Sequence, residues 1–157
     1  MAPLVLTSRG PDDTDALARA LAPALRQGDV LLLSGDLGAG KTHFTKALAQ
    51  ALGARDEAAS PTFPIASFLE IPDGALLHID AYRLESVAEF RDLGLEEEFD
   101  EAIAVIEWGE IVASEFDDYL AIRIAFDGAQ TARRIEISAR GPRGEALFRR
   151  VSAEAPA

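Results

Sequence analysis

The chain has 157 residues, 48% of them hydrophobic, no cysteine, and a formal net charge of −12. Length and apolar content predict one folded domain over residues 1–157, with about 152–157 as a frayed tail, and argue against a disordered chain. The lack of cysteine excludes a disulfide framework and a thiolate metal site, and no basic leader or long apolar stretch marks a secretion signal or membrane span, so the reading is a cytoplasmic protein with no membrane partner.

The charge is unevenly spread. Residues 1–56 are balanced, residues 57–118 set seventeen acidic side chains against only Arg83 and Arg91, and residues 119–157 carry a small basic excess. An acidic middle offers no broad basic footprint for phosphate backbones, so direct strong nucleic-acid binding is not expected. It suits solubility or a protein partner with a basic surface.

In chain order, Pro3 to Thr7 is a short apolar segment that reads as a strand. Asp12-Asp13-Thr14 supplies N-cap chemistry for a helix whose Ala16, Leu17, Ala20, Leu21, Ala24 and Leu25 form one apolar stripe, ended by Gly28. Asp29 to Ser34 then has the length and composition of a strand buried on both faces. It runs into Gly35-Asp36-Leu37-Gly38-Ala39-Gly40-Lys41-Thr42, the spacing of a phosphate-binding loop. The glycines let backbone N–H groups turn inward toward phosphate oxygens, and a helix starting at Gly40 adds free N–H groups and its positive dipole end. In this pattern Lys41 can reach the β- and γ-phosphates, and the Thr42 hydroxyl can sit on a magnesium ion. The nucleotide-binding stretch is therefore Gly35, Asp36, Leu37, Gly38, Ala39, Gly40, Lys41, Thr42 and His43. Phe44, Ala47, Leu48, Ala51 and Leu52 recur at helical spacing behind it, and Gly53 ends the run. A glycine turn in an unrelated α/β domain lacks this strand and helix on either side.

Ser60-Pro61-Thr62-Phe63-Pro64 holds the chain extended, and a threonine in such a loop can sense magnesium and the γ-phosphate; an ordinary loop before a strand fits equally well. Phe63 to Ile71 and Ala75 to Ile79 read as strands around a Pro72-Asp73-Gly74 turn. The second ends in Asp80, and a later apolar run, Ala102 to Ile106, ends in Glu107-Trp108-Gly109-Glu110. Each strand delivers an acid to the carboxyl edge where open α/β sheets bind ligands. Local pattern does not rank them: either could be the metal partner while the other orients water. His78 has no metal-ligand spacing around it and is expected as a hydrogen-bonded strand residue and Trp108 as a packing anchor, while Arg83 can pair with the acids or face a phosphate, a salt bridge being the plainer expectation. Ser86 to Asp100 reads as one or two acidic helices. Tyr119 to Phe126 and Thr131 to Ser138 alternate around an Asp127–Gln130 turn as a hairpin, with Arg133, Arg134, Arg140 and Arg143 along its outer edge. Gly144 to Val151 reads as a short helix.

The predicted fold is a three-layer phosphate-loop α/β domain: a mostly parallel sheet between helices, with an antiparallel C-terminal hairpin. The chain contains no asparagine, so the Asn-Lys-x-Asp motif that reads guanine is absent, and no Asp-x-x-Gly stands at a strand end. ATP is favoured by elimination. Only two arginines between residues 56 and 122 argue against the basic lid of a small-molecule kinase. A nucleotide-gated binding module, in which ATP only orders the segment around Thr62 for a partner, is the other alternative to an ATPase.

The set GDLGAGKT, SPTF at Ser60 to Phe63, HIDAYRL at His78 to Leu84 and EWGE at Glu107 to Glu110 closely resembles the TsaE (YjeE) family, with Pro64 standing where a small polar residue is more usual. The resemblance covers roughly the first three-quarters of the chain. It implies a weak, partner-dependent ATPase of bacterial tRNA threonylcarbamoyladenosine synthesis, using ATP and Mg2+. Its hydrolysis resets a TsaB–TsaD-like pair that modifies tRNA adenosine at position 37. Carried over by position, it implies Lys41 on the phosphates, Thr42 and Glu107 at the metal, Asp80 in the site and needed for turnover, and Ser60 and Thr62 in a mobile switch.

Overall fold

The computed structural model describes residues 2–36, 38–55 and 65–154. Leu37, Ser60, Thr62 and Pro64 lie outside the described residues.

The element that orders the rest is the strand before the glycine loop. Strand β2 (Val30–Gly35) has four consecutive buried residues, because both of its faces are covered. Leu31 and Leu33 face one side of the sheet, Val30 and Leu32 the other. Its neighbours are β5 (Ile103–Glu107), buried along its whole length, and β6 (Tyr119–Asp127), both parallel to it. Strand β4 (Gly74–Asp80) lies parallel on the far side of β5. These four make the parallel centre. Antiparallel partners close both sides: β3 (Ala66–Ile71) pairs with β4, and β7 (Ala129–Arg140) pairs with β6 and in turn with β1 (Leu4–Ser8). The sheet order is β1-β7-β6-β2-β5-β4-β3.

Helices cover each face, giving three layers. On one side α1 (Pro11–Leu21), α2 (Lys41–Ala51) and α5 (Gly141–Glu154) bury Leu17, Leu21, Phe44, Leu48, Leu147 and Val151 against Leu31, Leu33, Ile122 and Ile137. On the other, α3 (Val87–Asp92), α4 (Glu98–Glu101) and short 3-10 turns bring Leu84, Phe90 and Val112 onto Leu32, Leu77, Ile79 and Ile106. Phe90, Phe99 and Phe116 meet edge-on or tilted, with centroids 5.0–5.9 Å apart, and close this smaller layer.

Local chemistry explains most element ends, and several depart from expectation: α1 ends at Leu21 and passes into a 3-10 turn at Ala22–Ala24, α5 runs on to Glu154, and both helices start early. Helix α1 begins one turn earlier than its acidic cluster suggested: Gly10 is the N-cap and Pro11 stands in the first turn, where a missing N–H loses nothing. Asp12 and Asp13 fall inside that first turn, while the Thr14 hydroxyl is buried 2.8 Å from that of Ser8. Helix α5 starts at Gly141, not near Gly144, because the Arg143 N–H donates to Asp118 2.8 Å away and anchors the helix start. Asp29, buried at the foot of β2, accepts from the Arg150 guanidinium at 2.9 Å and from the Arg26 N–H at 2.8 Å, tying α5 to the central strand. Among the described residues no helix is long and apolar enough to cross a membrane.

Candidate active site

The strand order brings three chain segments to one edge of the sheet. Leu33 of β2 is in register with Glu107 of β5, and Glu107 with Asp80 of β4, so the loop and both acids share the carboxyl edge of the parallel centre. Side chains paired in register point to one face, and here that face is the one covered by α2.

The loop itself depends on backbone freedom. Gly35, Gly38 and Gly40 have φ of 131°, 79° and 117°, values that side-chain-bearing residues rarely adopt. At Gly35 a Cβ would also strike the Ile124 carbonyl of β6. The first helical bond of α2 runs from Phe44 N–H to Gly40 O at 2.9 Å. The N–H groups of Lys41, Thr42 and His43 therefore have no partner within the helix and lie at its positive end. Lys41, only 5% exposed, folds back so that Nζ donates to the carbonyls of Gly35 at 2.7 Å and Asp36 at 3.0 Å. The His43 side chain turns away from the loop to Asp15 of α1, at 2.7 Å.

Glu107 is the acid that reaches the loop. Its Oε1 accepts from the Thr42 hydroxyl at 2.7 Å, across 65 residues of sequence, and its Oε2 lies 2.6 Å from Nε2 of His78. Burial alone would raise the Glu107 carboxyl. The hydrogen bonds from His78 and Thr42, with the nearby charges of His78 and Lys41, outweigh it and hold the group below its ordinary value. Asp80 is placed differently. It is exposed, and its Oδ1 accepts from the Tyr82 N–H at 3.0 Å, capping a 3-10 turn at Ala81–Arg83. The edge thus separates the two acids that sequence pattern left unranked: Glu107 is buried against Thr42, and Asp80 is solvent-facing one strand further out. Arg83, expected in a salt bridge, is exposed and makes none among the described residues.

Two other residues gain a place that sequence pattern did not show. Trp108, expected as a packing anchor, takes a left-handed conformation at φ 59°, and Lys41 Nζ lies 4.0 Å from its ring centroid. Tyr82 packs tilted against the same indole, with ring centroids 4.9 Å apart. The turn is tight because Gly109 lies so close to Leu32 of β2 that any side chain there would collide with it. Arg133, expected on the outer edge of the hairpin, donates from Nε to the Ala39 carbonyl at 2.9 Å and lies over Phe126 at 4.5 Å. A signal for it existed. Arg133 has the parity of Ile135 and Ile137, so it continues the buried face of β7 toward the loop, whereas Arg134 faces away. Beside the loop, Gly10, Pro11, Thr14, Ala39, Gly40, His43, Thr131 and Arg133 enclose a cleft of about 270 Å³.

A central parallel strand feeding a glycine loop, a helix N-terminus with an inward lysine, and a buried strand-end acid on the helix threonine define an α/β protein of the phosphate-loop class. Residues 8–135 match the family described as "Threonylcarbamoyl adenosine biosynthesis protein TsaE". The tRNA threonylcarbamoyladenosine biosynthesis protein TsaE of Streptomyces coelicolor is 42% identical over 134 residues, covering 81% of this chain and 90% of that protein. Its namesake in Bacillus subtilis is 38% identical over 145 residues, covering 90% and 89%. The crystal structure of Bacillus subtilis YdiB superposes with a TM-score of 0.80 at 33% identity, over 98% of this chain and 97% of that one. The chain belongs to the TsaE family, and so to the proteins of tRNA threonylcarbamoyladenosine biosynthesis.

Proposed function

We propose that the chain binds and hydrolyses ATP with Mg2+, and that this hydrolysis supports turnover of a TsaB–TsaD-like pair that modifies tRNA adenosine in the cytoplasm. The observation that carries the reading is the contact between the Thr42 hydroxyl and Glu107 beside the inward Lys41. A hydroxyl and a carboxylate are hard oxygen donors, and nucleotide-bound magnesium takes one or two such protein oxygens with phosphate and water for the rest. Thr42 and Glu107 are the residues that would hold it. A magnesium ion bound there would neutralise charge that builds on the phosphate oxygens.

The chain's own groups do the rest. Loop N–H groups and the start of α2 grip the phosphates. Lys41 exchanges its two carbonyl partners for β- and γ-phosphate oxygens, and Trp108 keeps the ammonium at the loop. Arg133 steadies the loop through Ala39, and the cleft at Gly10, Thr14 and Thr131 accepts the base end of the nucleotide. Asp80 faces solvent at the same edge, where it orients the attacking water. That water's oxygen bonds to the γ-phosphorus as the bridging P–O bond breaks, giving ADP and inorganic phosphate, and its proton leaves to phosphate or solvent.

The test is phosphate release from ATP and Mg2+ by the chain alone and with the purified threonylcarbamoyl-transfer pair. Slow release alone, strong stimulation by the pair, and loss of both in Lys41→Ala are expected. Tight ATP binding without stimulation would instead favour a nucleotide-gated binding module. Phosphate transfer to a metabolite rather than to water would favour a kinase.

A further inference from the structure

His78 stands on β4 two residues before Asp80 and therefore on the same face of the sheet. Its register partner is Val105, two residues before Glu107, so the imidazole spans from one strand to the end of the next. Its side chain is only 11% exposed and that of Glu107 4%. The 2.6 Å contact between Nε2 and Oε2 is among the shortest polar contacts at the site. An ionised carboxylate has no proton to give, so Nε2 carries the hydrogen and His78 is the donor.

The two oxygens of Glu107 thus have different tasks: Oε2 is taken by His78, and Oε1 is turned to Thr42. A glutamate has three side-chain torsions, and the bond from β4 holds the terminal group against rotation. Among the described residues His78 makes no hydrogen bond to the loop or to Lys41; its polar partner is Glu107. Partners that hold a ligating side chain in its working orientation affect metal affinity without touching the metal.

We propose that His78 is a positioning residue, which fixes the Glu107 carboxylate so that Oε1 remains beside the Thr42 hydroxyl for the divalent cation of the bound nucleotide. The proposal rests on the reading of Thr42 and Glu107 as the magnesium residues.

Calorimetric titration of the full chain with the non-hydrolysable analogue AMP-PNP, in EDTA and across a magnesium series, tests it. In His78→Leu the magnesium concentration that half-saturates the gain in nucleotide affinity rises about 10–100-fold, while affinity in EDTA stays at the wild-type value. His78→Gln, whose side-chain amide can donate to the same oxygen, recovers most of that shift. A merely packed histidine would give equal behaviour for Leu and Gln, so an equal shift in the two variants overturns the proposal. An unchanged magnesium dependence in His78→Leu also overturns it, and leaves the reading of Thr42 and Glu107 standing. Loss of nucleotide binding by His78→Leu in EDTA overturns it as well, by making the residue a requirement of the fold. Wild-type affinity that ignores magnesium overturns the reading of Thr42 and Glu107 first, and this inference with it.

Discussion

The loop edge and the acidic flank carry charge in opposite ways. The flank around α3 and α4 is dense in acids, most of them on exposed side chains; its ion pair, Arg91 with Glu115, leaves the arginine 65% exposed. At the loop edge the two charges that meet beside Thr42 are buried: Lys41 is 5% exposed and Glu107 3%. Of the seventeen acids between residues 57 and 118, Glu107 alone is buried among those described. The difference teaches that abundance of charge does not mark the working edge. A buried charge must be paired or hydrogen-bonded to be tolerated, and the partners it collects here, Thr42, His78 and the lysine nearby, are those that phosphate and metal chemistry calls for. An exposed acid is solvated and needs no partner.

The contrast breaks most visibly at the loop lysine. Lys41→Ala is expected to weaken binding of ATP by about 100-fold or more, the loss of charge-assisted hydrogen bonds to phosphate. Calorimetry reads it, and unchanged affinity would return the loop to a simple glycine turn. Next come the two acids. Glu107→Ala is expected to cut pair-stimulated ATP turnover about 100-fold, the several kcal/mol a bound divalent ion contributes. Asp80→Asn should lower it less, about 10-fold, below the roughly 10²–10⁴-fold of full general-base catalysis, because the amide can still hold a water at this solvent-facing position. Equal effects would remove the distinction between the buried and the exposed acid.

A smaller effect is read from pH. The folded chain holds Glu107 below its unfolded value, so the stability it contributes is complete above the unfolded value and disappears as pH falls through the lower folded one. Urea denaturation without nucleotide should therefore show the gap between wild type and Glu107→Gln closing on going from pH 7 into the acid range. A gap that widens would reverse the sign of the shift. The smallest effect belongs to the flank. Arg91→Ala should leave the urea midpoint and ATP binding nearly unchanged, because the arginine is largely in solvent, which screens the pair. A large loss there would mean that the flank too depends on its charges.

The fold was legible where local pattern is strong. The buried run of β2, the glycine loop, the stripe of α2 and the alternating hairpin each follow from a period or a turn residue. The start of α1 was misread because acidic residues serve a helix both as caps and in the first turn, and Pro11 settled the matter in favour of the earlier start. At the site, Lys41 and Thr42 were legible because their spacing within one loop is local. The choice between Asp80 and Glu107 was not, since both end an apolar strand and nothing nearby in sequence separates them.

What the sequence by itself determined was the set of parts: a phosphate loop, two acid-ended strands, a family resemblance, and the absence of the motif that reads guanine. The tertiary structure decided how far each part lies from the loop. Strand β5, not its predecessor β4, inserts beside β2, so Glu107 meets Thr42 and His78 while Asp80 is left one strand outward. The same long-range pairing carries Arg133 to Ala39, and the turn after β5 lays Trp108 over Lys41. These contacts join residues tens of positions apart, and strand order in the sheet is set by the packing of whole faces rather than by any short stretch of chain.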